Sequence, residues 1–256
     1  MAYILYPMLP QKNKALRAIA LLIPALFLTG CSKVSELGFP EGASSVNDQS
    51  LSLWQGAWIT AGVVGVGTLI LILWPAVFHR GKKDGPEFPK QTQYHIPIEI
   101  VYTIIPFIIV AVMFFYTAKK ESAITTKSTT SMHQISVTGM QWSWQFAYPE
   151  AGANAVITGT PAKPPTLVVP LGERVRYTIT SNDVVHGFWI PAFMIQMQNL
   201  PGVTNHLEFT ANKLGEYPGR CNILCGRAHS QMLFTVKVVT PAQYQAYLET
   251  LKGSQA

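Results

Sequence analysis

Between Gln49 and Phe78 the chain carries no Asp, Glu, Lys or Arg. A charge-free stretch of that length exceeds the roughly 20 residues an apolar helix needs to cross a bilayer. Trp54, Trp58 and Trp74 stand near its ends, where interfacial anchors belong. A second apolar run goes from Ile100 to Ala118, broken only by Pro106, and Lys119 and Lys120 follow it. Between the two, loop 79–94 sets Arg80, Lys82, Lys83 and Lys90 against Asp84 and Glu87. The positive-inside rule places that loop in the cytoplasm. Lys119 and Lys120 pull the other way, but an exported N-terminus followed by two spans must end outside. The expectation is a transmembrane hairpin over 51–118, with helices at about 53–78 and 97–118. Only 12% of residues are charged, 48% are apolar and mean hydropathy is +0.22. Those values fit a membrane protein with one soluble domain better than a buried hairpin in a soluble fold.

Residues 1–30 read as a lipoprotein-type signal peptide. Lys12, Lys14 and Arg17 precede the apolar stretch Ala18–Leu28, which is too short to span. It ends in Leu28-Thr29-Gly30-Cys31, which resembles a bacterial lipoprotein cleavage box. Cleavage there would leave a lipidated Cys31 at the mature N-terminus. An ordinary signal peptide with an incidental cysteine is the plainer reading, and both imply a bacterial exported protein. Residues 31–50, rich in Ser, Gly and Asn, read as an extracytoplasmic linker.

From 119 to 240 the character changes. Runs rich in Val, Thr, Ile and aromatics recur between Gly, Pro and Asn: Ile135–Phe146, Thr166–Val169, Arg174–Thr180, Asn205–Thr210 and Met232–Val239. Arg174–Thr180 alternates as a half-buried strand does. Many short strands imply a sandwich or barrel. Thr240 and Pro241 then mark the N-cap and first position of a closing helix to Leu251, with a tail to 256. The net charge is +6, but the basic residues are dispersed and not interleaved with aromatics, so no nucleic-acid surface is expected.

Chemistry concentrates in Cys221-Asn222-Ile223-Leu224-Cys225-Gly226-Arg227-Ala228-His229-Ser230-Gln231-Met232, with His186 upstream in Asp183-Val184-Val185-His186-Gly187-Phe188-Trp189. Thiolate, thioether and imidazole together favour copper over hard cations. A mononuclear blue-copper site needs one cysteine. Two cysteines can bridge two coppers, each capped by one histidine, with Met232 and a backbone carbonyl between the cysteines in the weak axial positions. A Cys221–Cys225 disulfide and a Cys2His2 zinc site remain as alternatives. Neither uses the methionine. His133 and His206 read as solvated or core residues without a role.

The Cys-x3-Cys-x3-His-x2-Met string and the upstream Asp-Val-Val-His-x-Phe-Trp resemble subunit II of cytochrome c oxidase, over about Leu53 to Leu251. The resemblance implies a membrane-anchored α + β protein: a two-helix hairpin, then a cupredoxin-like β-barrel carrying a binuclear copper centre, CuA. It implies that His186, Cys221, Cys225, His229 and Met232 are the side-chain ligands and that Ile223 supplies a backbone carbonyl. His186 and Met232 would share one copper, and His229 and the Ile223 carbonyl the other. Such a subunit takes electrons from cytochrome c and passes them to the haem of subunit I, whose haems and CuB reduce oxygen to water; subunit III is a further partner. Gly139–Tyr148 resembles the family's aromatic stretch, making Trp142 the expected electron-receiving residue. Glu99-Ile100-Val101-Tyr102 resembles the start of the family's second helix, placing Glu99 near the mouth of a proton path. The expected location is the bacterial plasma membrane, multi-pass, with copper domain and both mature termini outside. A quinol-oxidase subunit II is the alternative within the family, but that branch has lost these ligands. A nitrous oxide reductase copper domain would follow a propeller, and none precedes it here.

Three departures from the family pattern concern the face toward subunit I. Ile223 stands where many members have a glutamate reaching a shared magnesium ion, and an aliphatic side chain cannot serve a cation that wants oxygen. Gln198 replaces an aspartate, and Pro201-Gly202-Val203 replaces Pro-Gly-Arg. From Lys119 onward there are also eleven Lys/Arg against seven Asp/Glu. That balance would not steer a basic soluble donor. A membrane-tethered or acidic cytochrome, such as one belonging to a bc-type complex, is expected instead.

Overall fold

The computed structural model describes residues 42–79, 91–129 and 133–253. The signal segment, Cys31 and the charged residues of loop 79–94 lie outside the described residues. Two long helices come first, α1 (Asn47–Phe78) and α2 (Ile96–Thr125). Both are long and apolar enough to cross a membrane, with mean hydropathies of 2.2 and 2.5 and nothing buried in their most apolar windows. So much exposed apolar surface has a place in lipid, where a helix satisfies its own backbone. The start of α2 is closed by a reciprocal cap. Glu99 Oε1 accepts the His95 N–H at 2.9 Å, and His95 Nδ1 accepts the Ile98 N–H at 3.4 Å.

The helices are longer than their apolar runs. α1 begins at Asn47 rather than near 53, and α2 continues past 118 to Thr125. Hydropathy marks what lipid demands, whereas these outer turns are polar and held by packing. Lys120 Nζ donates to Gln49 Oε1 at 2.8 Å, and Ser50 Oγ to the Met194 carbonyl at 3.1 Å. The expected linker 31–50 also needs correction at its described end. Ala43 and Val46 are buried, and residues 43–45 form a strap along the β-domain. Ala43 N–H donates to Ala192 O (3.2 Å), Ser45 N–H to Thr210 O (2.9 Å), and Asn212 N–H to Ala43 O (2.8 Å). Composition gives residue types, not partners; here backbone groups make the attachment together with the Ser44 hydroxyl, which donates to the Phe193 carbonyl at 2.8 Å.

Ten strands follow: β1 (His133–Met140), β2 (Ser143–Ala147), β3 (Val156–Thr158), β4 (Thr166–Pro170), β5 (Arg174–Ser181), β6 (His186–Ile190), β7 (Ile195–Asn199), β8 (Asn205–Thr210), β9 (Gly215–Cys221) and β10 (Leu233–Val239). They form two five-stranded sheets, ordered β3-β2-β1-β5-β8 and β4-β10-β9-β6-β7. Pairing is antiparallel except for β1 with β5 and β4 with β10, which are parallel. Aromatic side chains from both sheets meet between them. Trp144 of β2 lies 5.7 Å from Phe188 of β6 and 5.4 Å from Phe234 of β10, centroid to centroid. This curled two-sheet domain behind an apolar helical hairpin is the cupredoxin-like architecture expected.

The alternation read in Arg174–Thr180 holds, with Val175, Tyr177 and Ile179 buried. The run Ile135–Phe146 is a hairpin, turning at Gln141-Trp142. β9 was hidden by its Gly215, Pro218 and Gly219. Gly219 is required there, because any Cβ would collide with the Phe234 ring. Helix α3 (Pro241–Gly253) opens on a capping box: the Thr240 N–H donates to Gln243 Oε1 at 3.0 Å, and Thr240 Oγ1 accepts the Gln243 N–H at 3.3 Å. It buries Tyr244, Leu248 and Leu251, one face of a helix.

Candidate metal centre

His186 opens β6 and Cys221 closes β9, and these two strands pair, with Phe188 opposite Cys221. The turn 222–232 leaves the sheet at Cys221 and returns to it at Met232, just before β10. Two backbone bonds fasten its ends: Cys221 N–H to Met232 O at 3.0 Å and Asn222 N–H to Gly187 O at 3.2 Å. His229 lies in a 3-10 turn, His229–Gln231. His186 and Met232 are fully buried, and Cys221 and Cys225 nearly so.

The expected ligands converge. The two sulfurs lie 3.8 Å apart as free thiols. His186 Nδ1 is 4.0 Å from Cys221 Sγ, and His229 Nδ1 is 3.5 Å from Cys225 Sγ. Met232 Sδ is 3.7 Å from Cys225 Sγ, and the Ile223 carbonyl is 3.1 Å from Cys221 Sγ. Among the described residues, donor atoms of His186, Cys221 and Cys225 lie within 4.8 Å of one another. A sulfur separation of 3.8 Å is well under twice the metal–thiolate length of about 2.3 Å. One ion can therefore touch both sulfurs, and each sulfur has its own imidazole. Soft donors in a nearly dry pocket fit copper.

Charge is arranged to ionise one thiol first. Burial disfavours the Cys221 thiolate, but the His186 imidazole, the Gly187 N–H and the Cys225 thiol outweigh it, and its pKa falls to about 6. Burial and the Cys221 charge push Cys225 the other way. Burial also opposes a charged His186, yet the Cys221 sulfur and Asp183 raise its pKa. An ionised sulfur beside a second that gives up its proton only to a competing cation is the expected poise of a bridging thiolate pair.

Trp142 sits in the β1–β2 turn, half-buried, and its Nε1–H donates to the Cys225 carbonyl at 3.3 Å. Gln141 Nε2 donates to the same oxygen at 2.7 Å. Glu99 is no part of this site. It lies near the far end of α2, about 40 Å of helix from the β-domain. Ile223 and Gln198, two of the departures, line one cleft of about 660 Å³ with Ser50, Leu53, Met194 and Asn222.

Sequence reasoning quoted Asp183 without giving it a role. Its Oδ1 lies 2.8 Å from His186 Nε2 and its Oδ2 accepts the Gln141 N–H at 2.7 Å. The Asp-x-x-His spacing was the available signal. Gly139 was also missed; a Cβ there would stand 2.9 Å from the His186 ring. His133 is neither solvated nor merely core. It is buried with both ring nitrogens 2.8 Å from carboxylates, Nδ1 from Glu150 and Nε2 from Glu173.

The family described as cytochrome C oxidase subunit II, periplasmic domain, matches residues 162–239. The chain is 37% identical to a probable cytochrome c oxidase subunit 2 of Streptomyces avermitilis, over 96% of this chain and 89% of that one. It is 31% identical to cytochrome c oxidase subunit 2 of Mycobacterium bovis, over 94% and 83% respectively. Among solved structures, the periplasmic domain of cytochrome oxidase subunit II from Bradyrhizobium japonicum aligns with 52% of this chain and all of that chain, at 32% identity and a TM-score of 0.46.

Proposed function

Because the chain belongs to the cytochrome c oxidase subunit II family, we propose that it is the electron-accepting subunit of a haem–copper terminal oxidase, built around a binuclear CuA centre. The observation that carries this reading is the pair of free sulfurs 3.8 Å apart, each within 4.0 Å of a separate imidazole nitrogen. Cys221 and Cys225 would bridge the metals, His186 and His229 would terminate them, and Met232 and the Ile223 carbonyl would complete the set. When bound, the copper pair would accept and release single electrons with little change in bond length, since charge spreads over two metals and two sulfurs. The chain's own contribution is a ligand set fixed at both ends by β6, β9 and β10, so that it need not move between oxidation states.

Trp142 is assigned as the electron-receiving residue, since its indole is bonded to the Cys225 carbonyl and is partly exposed to solvent. Subunit I would cover the cleft lined by Ile223 and Gln198, through contacts that need no magnesium ligand from this chain. Subunit III would be a further partner. The β-domain would face the extracytoplasmic side, Glu99 would stand at the cytoplasmic mouth of a proton path, and the lipid would be on Cys31. The donor would be a tethered or acidic cytochrome c, in keeping with the basic balance after Lys119.

The test is metal loading of the full chain in detergent. Two coppers per chain, with the seven-line hyperfine pattern of one electron shared by two copper nuclei, is the expected result. The double variant Cys221→Ser with Cys225→Ser should lose both ions. One ion per chain, or a preference for zinc, would overturn the reading.

A further inference from the structure

Two side chains beside the ligand set touch no expected ligand atom on a metal-facing side, yet both are hydrogen-bonded into it. Asp183, in the β5–β6 turn, uses both oxygens. Oδ1 accepts the Val184 N–H at 2.6 Å and faces His186 Nε2 at 2.8 Å, and Oδ2 accepts the Gln141 N–H at 2.7 Å. Gln141, in the β1–β2 turn, joins Trp142 in donating to the Cys225 carbonyl. We propose that Asp183 and Gln141 are positioning residues, forming a hydrogen-bonded bracket that holds Trp142 and His186 in fixed relation to the two sulfurs. The functional meaning of this bracket rests on the copper reading above.

Sheet topology explains why a bracket is needed. Trp142 belongs to the sheet ordered β3-β2-β1-β5-β8, whereas His186 and Cys221 belong to the other. The two sheets meet at isolated bridges, Ser181 with Pro201 and Leu171 with Ala211, and neither includes the β1–β2 turn or Cys225, so this backbone pairing does not set the distance from Trp142 to the sulfurs. The chain His186–Asp183–Gln141–Cys225 crosses that gap from one side of the site to the other and passes Trp142 on the way. Space is closed as well. Gly226 has φ +124°, and a Cβ there would stand 3.0 Å from both Gln141 Nε2 and Trp142 Nε1.

With a metal held at Nδ1, Asp183 would also fix the imidazole tautomer. A neutral histidine has one N–H. Placed on Nε2 toward Asp183, it leaves the Nδ1 lone pair toward the sulfurs, as a metal ligand requires. Asparagine cannot replace aspartate here. Its single oxygen and its NH2 face three N–H groups, so at least one donor loses its acceptor. If the NH2 meets Nε2, the proton moves to Nδ1, the wrong nitrogen.

The test compares wild type, Asp183→Asn, Gln141→Leu and Gln141→Lys as full chains in detergent, metal-free. Ring-nitrogen NMR of histidine-labelled protein should show His186 protonated at Nε2 in wild type and shifted in Asp183→Asn. Amide exchange across residues 140–143 should quicken about tenfold in Asp183→Asn and Gln141→Leu, and Gln141→Lys, which restores an N–H donor, should return it toward wild type. The two variants act from different turns, so misfolding of one leaves the other as the test. Unchanged His186 resonances together with unchanged exchange would overturn the bracket and leave the copper reading intact. If wild type takes up no copper pair, the copper reading falls, and these metal-free measurements still decide the bracket.

Discussion

His133 shows how far one residue can depart from its sequence context. With both ring nitrogens 2.8 Å from carboxylates, the imidazole donates to both when it is protonated. Burial lowers its pKa, but Glu150 and Glu173 outweigh burial and raise it above 6.5. Tyr244 of α3 packs edge-on at 4.9 Å and is the remaining titratable group against it. A raised folded pKa means that this stabilisation is complete below pH 6.5 and is lost as pH climbs through the folded value. Denaturant melts of wild type should weaken over that alkaline rise, and His133→Gln should flatten the trend. His133→Leu strands two carboxylates and should cost about 2 kcal/mol below pH 6.5. At the metal-facing residues, Met232→Leu should keep two coppers but alter their spectrum and potential, since a weak axial thioether tunes rather than holds. Loss of copper in that variant would mean Met232 is structural.

At the scale of elements, residues 126–129, just past α2, are held by charge. Glu208 of β8 is buried, accepts Arg176 Nε at 2.6 Å and the Ser128 N–H at 2.9 Å, and Arg176 Nη2 donates to the Ser128 carbonyl at 2.6 Å. The cluster ties residue 128, just past the membrane helix, to the sheet. Glu208→Leu takes the carboxylate away from Arg176 and should destabilise the β-domain by about 3 kcal/mol, with faster exchange at 126–129. Unchanged stability would show the connection is held elsewhere. At the other end of the domain, Thr240→Ala removes the α3 cap and should cost about 1 kcal/mol, visible as fraying of residues 241–244.

For the whole molecule, donor choice is a question of summed charge. Reduction of the copper-loaded chain by a basic soluble cytochrome c should be slow and nearly insensitive to salt, because the β-domain does not attract it. A rate that falls steeply as salt is added would refute the tethered or acidic donor. Mass measurement of the mature chain should find a diacylated cysteine at its start; an unmodified residue there would remove the lipid anchor.

The sequence alone determined the two apolar helices, the helix cap at Thr240, the strand character of Arg174–Thr180 and the run of soft donor side chains from Cys221 to Met232. These are local: each is written in consecutive residues as a period, a cap or a spacing. It could also count His186 with the distant cysteines, since a two-copper site calls for a second imidazole, but it could not place the ring beside them. Tertiary structure alone decided that Ala43–Ser45 strap onto the domain, that Ile135–Phe146 folds back at Trp142, and that His133 meets two carboxylates. It also decided that Asp183 and Gln141 link the β1–β2 turn to His186 and the Cys225 carbonyl. Those contacts link residues far apart in the chain, where hydrogen-bond geometry and exclusion of water choose the partners, and neither is encoded in the residue types taken one after another.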